Sequence, residues 1–235
     1  MNKYVIITGG GVGSRMQQAL PKQFLEINGI PVLFYTITAF VAYQPDIKII
    51  LTLPPNYIQY WNELIQQKKF SVAHKVVAGG LTRFQSVKNG LALVPKNSLV
   101  AIHDAVRPFV SSEVIAKSFY EAEKTGNAIP VVSMVDSLRK INASENIPLN
   151  RPEIFAVQTP QTFLSTTLLE AYNTQESPLF TDDASVLEQC GISIHAIRGN
   201  TENIKITTPF DLMLAETFTK LLLHHSSFPQ ISAFE

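Results

Sequence analysis

Apolar and polar positions follow one another along this chain in two rhythms. Residues 4–8, 47–53, 74–78, 99–103 and 128–133 are brief runs rich in Val, Ile and Leu, bounded by turn residues. Their near-continuous hydrophobicity predicts strands covered on both faces. Between them, residues 32–41, 57–69, 86–94 and 113–125 space their apolar side chains as a helix does. Strands alternating with helices predict an α/β fold, a mostly parallel twisted sheet flanked by helices. Ligands of such sheets gather at the carboxyl ends of the strands.

Residues 134–153 interrupt this rhythm. Lys140, Asn142, Ser144, Asn146, Pro148 and Asn150 leave the segment with few large apolar side chains. A stretch of that length inside a compact domain reads as a functional loop or an arm that packs on a partner. Strand-like runs resume at residues 155–158 and 192–197, and residues 209–223 predict a closing amphipathic helix. The last residues, 224–235, have no periodicity and read as a frayed tail. The expected organisation is a single domain over residues 1–225, with an arm at about 136–152 and a flexible end at 226–235.

Composition narrows the function. Among 235 residues, Lys and Arg number 19 and Asp and Glu also 19, so the formal charge is zero. No global field gathers nucleic acid or an anionic membrane, and phosphates must be met by a few local cations. The single cysteine, Cys190, excludes an internal disulfide and a Cys-rich metal site; the expectation is a small buried apolar side chain. The amino-terminal apolar run is too short for a signal peptide, and nothing approaches the roughly 18 apolar residues of a membrane span. A cytoplasmic protein is expected.

Chemistry concentrates just after the predicted strands. The run Thr8-Gly9-Gly10-Gly11-Val12-Gly13-Ser14-Arg15 follows the first one, where glycines let backbone N–H groups approach an anion. Neither the dinucleotide spacing nor the Lys-Ser/Thr ending of a Walker loop is present. Four glycines followed by Arg15 favour phosphate binding over a purely structural turn. Lys22, seven residues past Arg15, can reach the same phosphates, although a lone lysine is ordinarily a solvated surface charge. A second glycine turn, Gly79-Gly80, leads into Thr82, Arg83 and Ser86. Thr82 can cap a helix beginning near Arg83, or Gly80 and Ser86 can contact a base and ribose. Asp104 ends an apolar strand, where a buried carboxylate needs a partner: Mg²⁺ with phosphate oxygens, or the nearby Arg107. His103 reads as a packed, hydrogen-bonded side chain. Thr181 and Asp182 can start a helix, as can Thr208 before Pro209, with Asp211 in the first turn. Lys205 stands in an apolar setting unusual for a surface lysine.

Singly these segments are ambiguous, but their order is informative. The segments GGxTRxxSVxNGL (79–91), HDAxRPF (103–109), QTPQxF (158–163), TDDAS (181–185) and NIKITTPxDLxLAE (203–216) resemble those of the 2-C-methyl-D-erythritol 4-phosphate cytidylyltransferases of the non-mevalonate isoprenoid pathway. The resemblance covers roughly nine-tenths of the chain. It implies a Rossmann-like nucleotidyltransferase fold, a β-arm that clasps a second subunit, and a homodimer using CTP, methylerythritol phosphate and Mg²⁺ or another divalent cation. It implies that Thr8, Gly9, Gly10, Gly11, Val12, Gly13, Gly80, Arg83, Ser86 and Ala105 meet CTP. Arg15, Lys22 and Lys205 are implied to be catalytic, and Asp104 to hold the metal. Arg107, Ser137, Arg151, Thr159 and Thr181 would line the acceptor site beside Ala105, with Arg151 and Thr159 possible contributions from across the dimer.

Some positions depart from the family's habit. Thr8-Gly9-Gly10 replaces small Ala residues, Leu81 replaces an acidic residue, and Ser137 and Arg139 stand for Thr and Lys. A ribitol 5-phosphate cytidylyltransferase is the nearest rival, since Val106 and residues 203–209 fit that sister family. Ala105, the Asn150-Arg151 pair and residues 181–185 favour the methylerythritol phosphate family. A catalytically silent binder on the same fold is a further alternative. A sugar-1-phosphate nucleotidyltransferase is disfavoured by the GGxTRxxSV segment.

Overall fold

The structure, a computed structural model, describes residues 1–9 and 20–224, with side chains to residue 221. The expected phosphate-binding residues Gly10, Gly11, Val12, Gly13 and Arg15 lie outside the described residues, as does the expected tail.

The first strand, β1 (Lys3–Thr8), is followed by a 3₁₀ turn at Lys22–Phe24 and the small hairpin β2 (Glu26–Ile27) and β3 (Ile30–Pro31). Helix α1 (Val32–Tyr43), β4 (Lys48–Leu53), α2 (Ile58–Gln67), β5 (Lys75–Ala78), α3 (Arg83–Leu91), β6 (Leu99–Asp104), α4 (Ser112–Thr125) and β7 (Asn127–Ser133) complete the predicted alternation. The second half adds β8 (Arg139–Ile141), β9 (Asn146–Pro148), β10 (Phe155–Val157) and β11 (Gln161–Leu164). Helices α5 (Ser165–Ala171) and α6 (Asp183–Gln189), strand β12 (Ala196–Arg198) and helix α7 (Pro209–His224) follow.

The main sheet runs β10-β7-β11-β6-β1-β4-β5, with β12 alongside β7. Strands β6, β1, β4 and β5 are mutually parallel, and β11 enters antiparallel between β6 and β7. The alternation of side chains along β1 shows why a two-faced core forms. Val5 and Ile7 join Leu33, Phe34, Trp61 and Phe119 on one face, while Ile6 joins Ile50, Phe84, Phe163 and Leu187 on the other. A third cluster of Ile27, Val32, Tyr35, Phe109, Ile206 and Ala215 seats α7 against the hairpin and α1.

Helix ends follow local chemistry. Thr82, Ser111 and Asp182 accept hydrogen bonds from the first-turn N–H groups of α3, α4 and α6, and Ser185 completes a capping box with Asp182. Gly126 ends α4 at φ 92°, a conformation costly for other residues. The irregular segment is an antiparallel hairpin, β8 with β9, whose residues are all exposed. Two expectations change. Residues 192–197 are strand only from Ala196, and Cys190 is exposed, because it lies at the carboxyl end of α6 past the last buried turn.

Candidate active site

The carboxyl ends of β1, β4, β5 and β6 lie side by side, with Thr8 level with both Thr52 and Asp104. The chain leaving each strand is tied to its neighbour: Gly9 N–H donates to Thr52 O at 2.9 Å, Gly79 N–H to Leu53 O at 2.7 Å, and Ala105 N–H to Thr8 O at 3.1 Å. Gly9 needs its small size here. A Cβ would stand 3.0 Å from Leu53 Cδ2 and 3.2 Å from Thr52 O. Gln23 Nε2 donates to Gly9 O at 2.6 Å, which pins the entry to the glycine loop.

Asp104 is the centre of this edge. Its side chain is 9% exposed, and Lys205 Nζ and Arg107 Nε reach its Oδ2 at 3.0 and 3.2 Å. Arg83 Nε stands 3.7 Å from Oδ1, too far for a hydrogen bond. Burial alone would raise this carboxyl, but Lys205, Arg83 and Arg107 outweigh it and hold Asp104 well below the usual carboxylate range. It is therefore an ionised carboxylate in a cationic pocket. Both openings left by the sequence apply, because Asp104 does pair with Arg107 and retains Oδ1 without a hydrogen bond among the described residues.

Second-layer bonds hold the cations in place. Arg107 Nη1 donates to Asn203 O at 2.7 Å, while Asn203 Nδ2 donates to Thr159 O at 2.8 Å. Lys22, nearly buried, donates from Nζ to Thr207 O at 2.7 Å. That turn is fixed by Asp211, whose Oδ2 accepts from the Thr207 and Thr208 N–H groups at 2.8 Å each. Residues remote in sequence, Lys22 and Lys205, are thus brought to one wall by the segment ahead of α7. The side chain of Lys205 is 45% exposed, so its place is explained by Asp104 rather than by an apolar surround.

His103 and Thr159 form a buried chain with Asp104. Asp104 N–H donates to Thr159 Oγ1 at 3.1 Å, and Thr159 Oγ1 lies 3.0 Å from His103 Nδ1. His103 Nε2 lies 3.0 Å from Arg107 O, which can only accept, so Nε2 carries the proton and Nδ1 takes the threonine hydroxyl. Burial pushes His103 down to about 4. The expectation of a packed histidine holds, and the Thr159 hydroxyl is committed to this chain.

The second glycine turn faces the same edge. Gly80 N–H donates to Ser86 Oγ at 3.1 Å, Ser86 Oγ donates to Thr82 O at 2.9 Å, and Leu81 N–H donates to Gln85 Oε1 at 3.0 Å. Leu81 itself is 97% exposed, so its departure from an acidic residue disturbs no packing. Other expected residues are not drawn into the Asp104 cluster by any described contact. Ser137 and Thr181 are exposed, and exposed Arg151 donates to Val135 O at 2.6 Å within the arm. Sequence reasoning assigned no role to Gln161, Tyr172, Asp183 or Asn203. Gln161 and Asp183 lie inside the QTPQ and TDDAS segments and are buried, Tyr172 ends α5, and Asn203 opens the segment ahead of α7.

A single carboxylate with free lone pairs suits a hard cation that is otherwise held by phosphate oxygens. No group of three or more His, Cys, Asp or Glu able to hold a metal exists among the described residues. Asp104 thus fits a hard cation held mainly by phosphate oxygens.

The chain has relatives in both sequence and fold. A sequence profile of 2-C-methyl-D-erythritol 4-phosphate cytidylyltransferase matches residues 3–220. The chain belongs to that family. The enzyme of that name from Bacteroides thetaiotaomicron is 49% identical over 214 residues, 91% of this chain and 98% of its own length. That of Bacteroides fragilis is 47% identical over 215 residues, covering 92% and 98%. Among solved structures, the 2-C-methyl-D-erythritol 4-phosphate cytidylyltransferase of Thermus thermophilus superposes with a TM-score of 0.76 at 29% identity, covering 94% of this chain and 100% of that one. The 4-diphosphocytidyl-2C-methyl-D-erythritol synthase of Anaerococcus prevotii gives a TM-score of 0.80 at 26% identity, covering 93% and 96%. The cytidylyltransferase fold and the α/β sheet expected from the alternation of apolar runs agree with these neighbours. No described helix is long and apolar enough to cross a membrane.

Proposed function

We propose that this chain transfers CMP from CTP to 2-C-methyl-D-erythritol 4-phosphate, forming 4-diphosphocytidyl-2-C-methyl-D-erythritol and pyrophosphate. The observation that carries the reading is Asp104, ionised and ringed by Lys205, Arg107 and Arg83 at the strand edge of a chain that belongs to this family. The acceptor phosphate is already anionic near neutral pH, so its oxygen attacks the α-phosphate without a general base. The barrier is repulsion between two anions and the charge that develops on the leaving pyrophosphate. Fixed cations lower it by positioning and electrostatic stabilisation.

In this reading Lys22, Lys205 and Arg15 face the triphosphate, with Thr8, Gly9 and the rest of the glycine loop around it. Gly80, Arg83, Ser86 and Ala105 form the cytidine side. Arg107 holds the acceptor phosphate, Thr181 lies at its border, and Thr159 fixes the Asp104 backbone beneath it. Asp104 would hold a magnesium ion, which would neutralise charge on the substrate phosphates. Ser137 lines the acceptor site and Arg151 reaches it from the arm of a second copy, whereas Thr159, the other residue expected from across the dimer, is bonded to Asp104 and His103 of its own chain. The assignment of Ser137 and Arg151 is supported by their exposure on either side of the hairpin and by the exposed apolar side chains Val135 (82%), Ile141 (69%) and Ile147 (47%), which a homodimer would cover. A cytoplasmic location follows from the nucleoside triphosphate donor.

The test is pyrophosphate release from CTP and Mg²⁺ with methylerythritol 4-phosphate against ribitol 5-phosphate. Release with the first, abolished by EDTA, is the expected result. Release with ribitol 5-phosphate alone overturns the acceptor, and release with neither overturns the activity.

A further inference from the structure

Asp183 is a fully buried carboxylate with an unusual set of partners. Arg83 donates to it through both terminal nitrogens, Nη1 to Oδ1 at 2.9 Å and Nη2 to Oδ2 at 2.6 Å. The Tyr172 hydroxyl donates to Oδ1 at 2.6 Å, and Gln161 Oε1 accepts from the Asp183 and Ala184 N–H groups at 3.0 Å each. A bidentate guanidinium–carboxylate pair fixes the plane and the direction of the arginine. With both terminal nitrogens so committed, Arg83 presents only its Nε toward Asp104, at 3.7 Å from Oδ1. Arg83 therefore contributes charge to the pocket without capping the one Asp104 oxygen that Lys205 and Arg107 leave open.

We propose that Asp183 is a positioning residue for the transfer, holding the Arg83 guanidinium back so that Asp104 Oδ1 stays open to the substrate phosphates and their cation. The inference rests on the cytidylyltransferase reading and deepens it. Charge makes the consequence directional. Arg83, Arg107 and Lys205 supply three positive charges and Asp104 and Asp183 two negative ones, a net of one positive. Neutralising Asp183 raises that net and releases Arg83 to hydrogen-bond Asp104 Oδ1, which both repels a divalent cation and occupies its ligand.

The experiment measures Mn²⁺ binding by electron paramagnetic resonance in the presence of a non-hydrolysable CTP analogue, alongside the Mg²⁺ dependence of pyrophosphate release. Asp183→Asn should weaken Mn²⁺ binding and raise the Mg²⁺ requirement by about 10–100-fold, the range for losing an outer-shell partner of a metal ligand. With the CTP analogue saturating for each variant, combining it with Arg83→Gln should restore most of the Mn²⁺ affinity, because no guanidinium remains to cap Asp104, even though the double variant binds nucleotide more weakly and turns over slowly. A purely structural Asp183 would give losses that add. Should Asp183→Asn not fold, Asp183→Glu keeps the charge and displaces it, and should weaken Mn²⁺ binding in the same direction with the same rescue. Wild-type Mn²⁺ affinity in the folded Asp183 variant, or additive losses, overturns the proposal. Failure of the unaltered protein to bind the Mn²⁺–nucleotide complex or release pyrophosphate overturns the underlying reading instead.

Discussion

Acidification should destabilise this protein through His103. The imidazole is completely buried and held neutral at about 4, against 6.5 for the free side chain, because burial penalises its charge more than its neighbours reward it. Between those values the unfolded chain binds a proton that the folded chain refuses. Stability is therefore fully present above about 6.5 and is lost as pH falls toward 4. At about 1.4 kcal/mol per pH unit, the full displacement corresponds to about 3 kcal/mol, and the step from pH 7 to pH 5 to about 2 kcal/mol. That is a sizeable share of a typical domain stability of about 5–15 kcal/mol.

The assay is urea denaturation at pH 7 and pH 5, repeated on His103→Gln, whose amide can still donate to Arg107 O and accept from Thr159. The loss on acidification should be smaller by about 2 kcal/mol in the variant. What remains belongs to other groups, including His74, which burial also lowers and which accepts from Trp61 Nε1 at 2.9 Å. Equal losses in both proteins would refute the argument, as would an imidazole resonance of His103 titrating near 6.5. The result bears on the site too. His103 holds Thr159, which in turn holds the Asp104 backbone, so acid should loosen the strand edge where Asp104 sits.

Other outcomes follow from named contacts. Lys205→Ala and Lys22→Ala should each lower kcat by about 10²–10³ or more, by analogy with removing an oxyanion-stabilising donor, and normal turnover in steady-state pyrophosphate release defeats the assignment. Gly90→Ala would set a Cβ 2.8 Å from Ile6 Cγ2 and 3.3 Å from Thr52 Cγ2, where α3 lies on the sheet. An overpacking cost of about 1–3 kcal/mol exceeds the helix-propensity gain of about 1 kcal/mol, so the urea midpoint should fall; a rise contradicts the packing. Exposed Cys190 should react with a thiol reagent in the folded protein at about the rate seen in denaturant, and protection by more than tenfold would place it inside.

Much of the fold was legible because its strands are buried on both faces. Residues 4–8 and 99–103 carry almost nothing but apolar side chains, and they emerge as the adjacent central strands β1 and β6. Strand β11 escaped notice for the opposite reason. Gln161 and Thr162 look like loop residues, yet both are buried, Gln161 as an acceptor for the start of α6 and Thr162 bonded to Ser118. A polar side chain satisfied by a remote partner is indistinguishable in one sequence from a solvated one. Cys190 failed similarly, since a residue type that usually packs inside falls here one position beyond the last helical turn.

The site divides along the same line. Asp104 was visible from its place at the end of an apolar strand, and Thr82, Asp182 and Thr208 from their capping positions. Which cations would surround Asp104 was not visible, because Lys205 arrives from about a hundred residues away and Arg83 from the start of α3. The neutral total charge pointed to a few local cations without saying which ones. A chain with equal numbers of acids and bases can build a positive pocket by spending its acidic residues elsewhere, and here one of the few acids kept inside, Asp183, is bound to a cation of that pocket. Such a pocket attracts phosphates over short distances alone, since beyond about 10 Å in ordinary salt the compensating surface charges and mobile ions screen it. Selectivity for a small doubly charged acceptor over a polyanion such as nucleic acid then comes from the whole molecule's lack of field, and the transfer chemistry from the few charges the sheet edge holds in register.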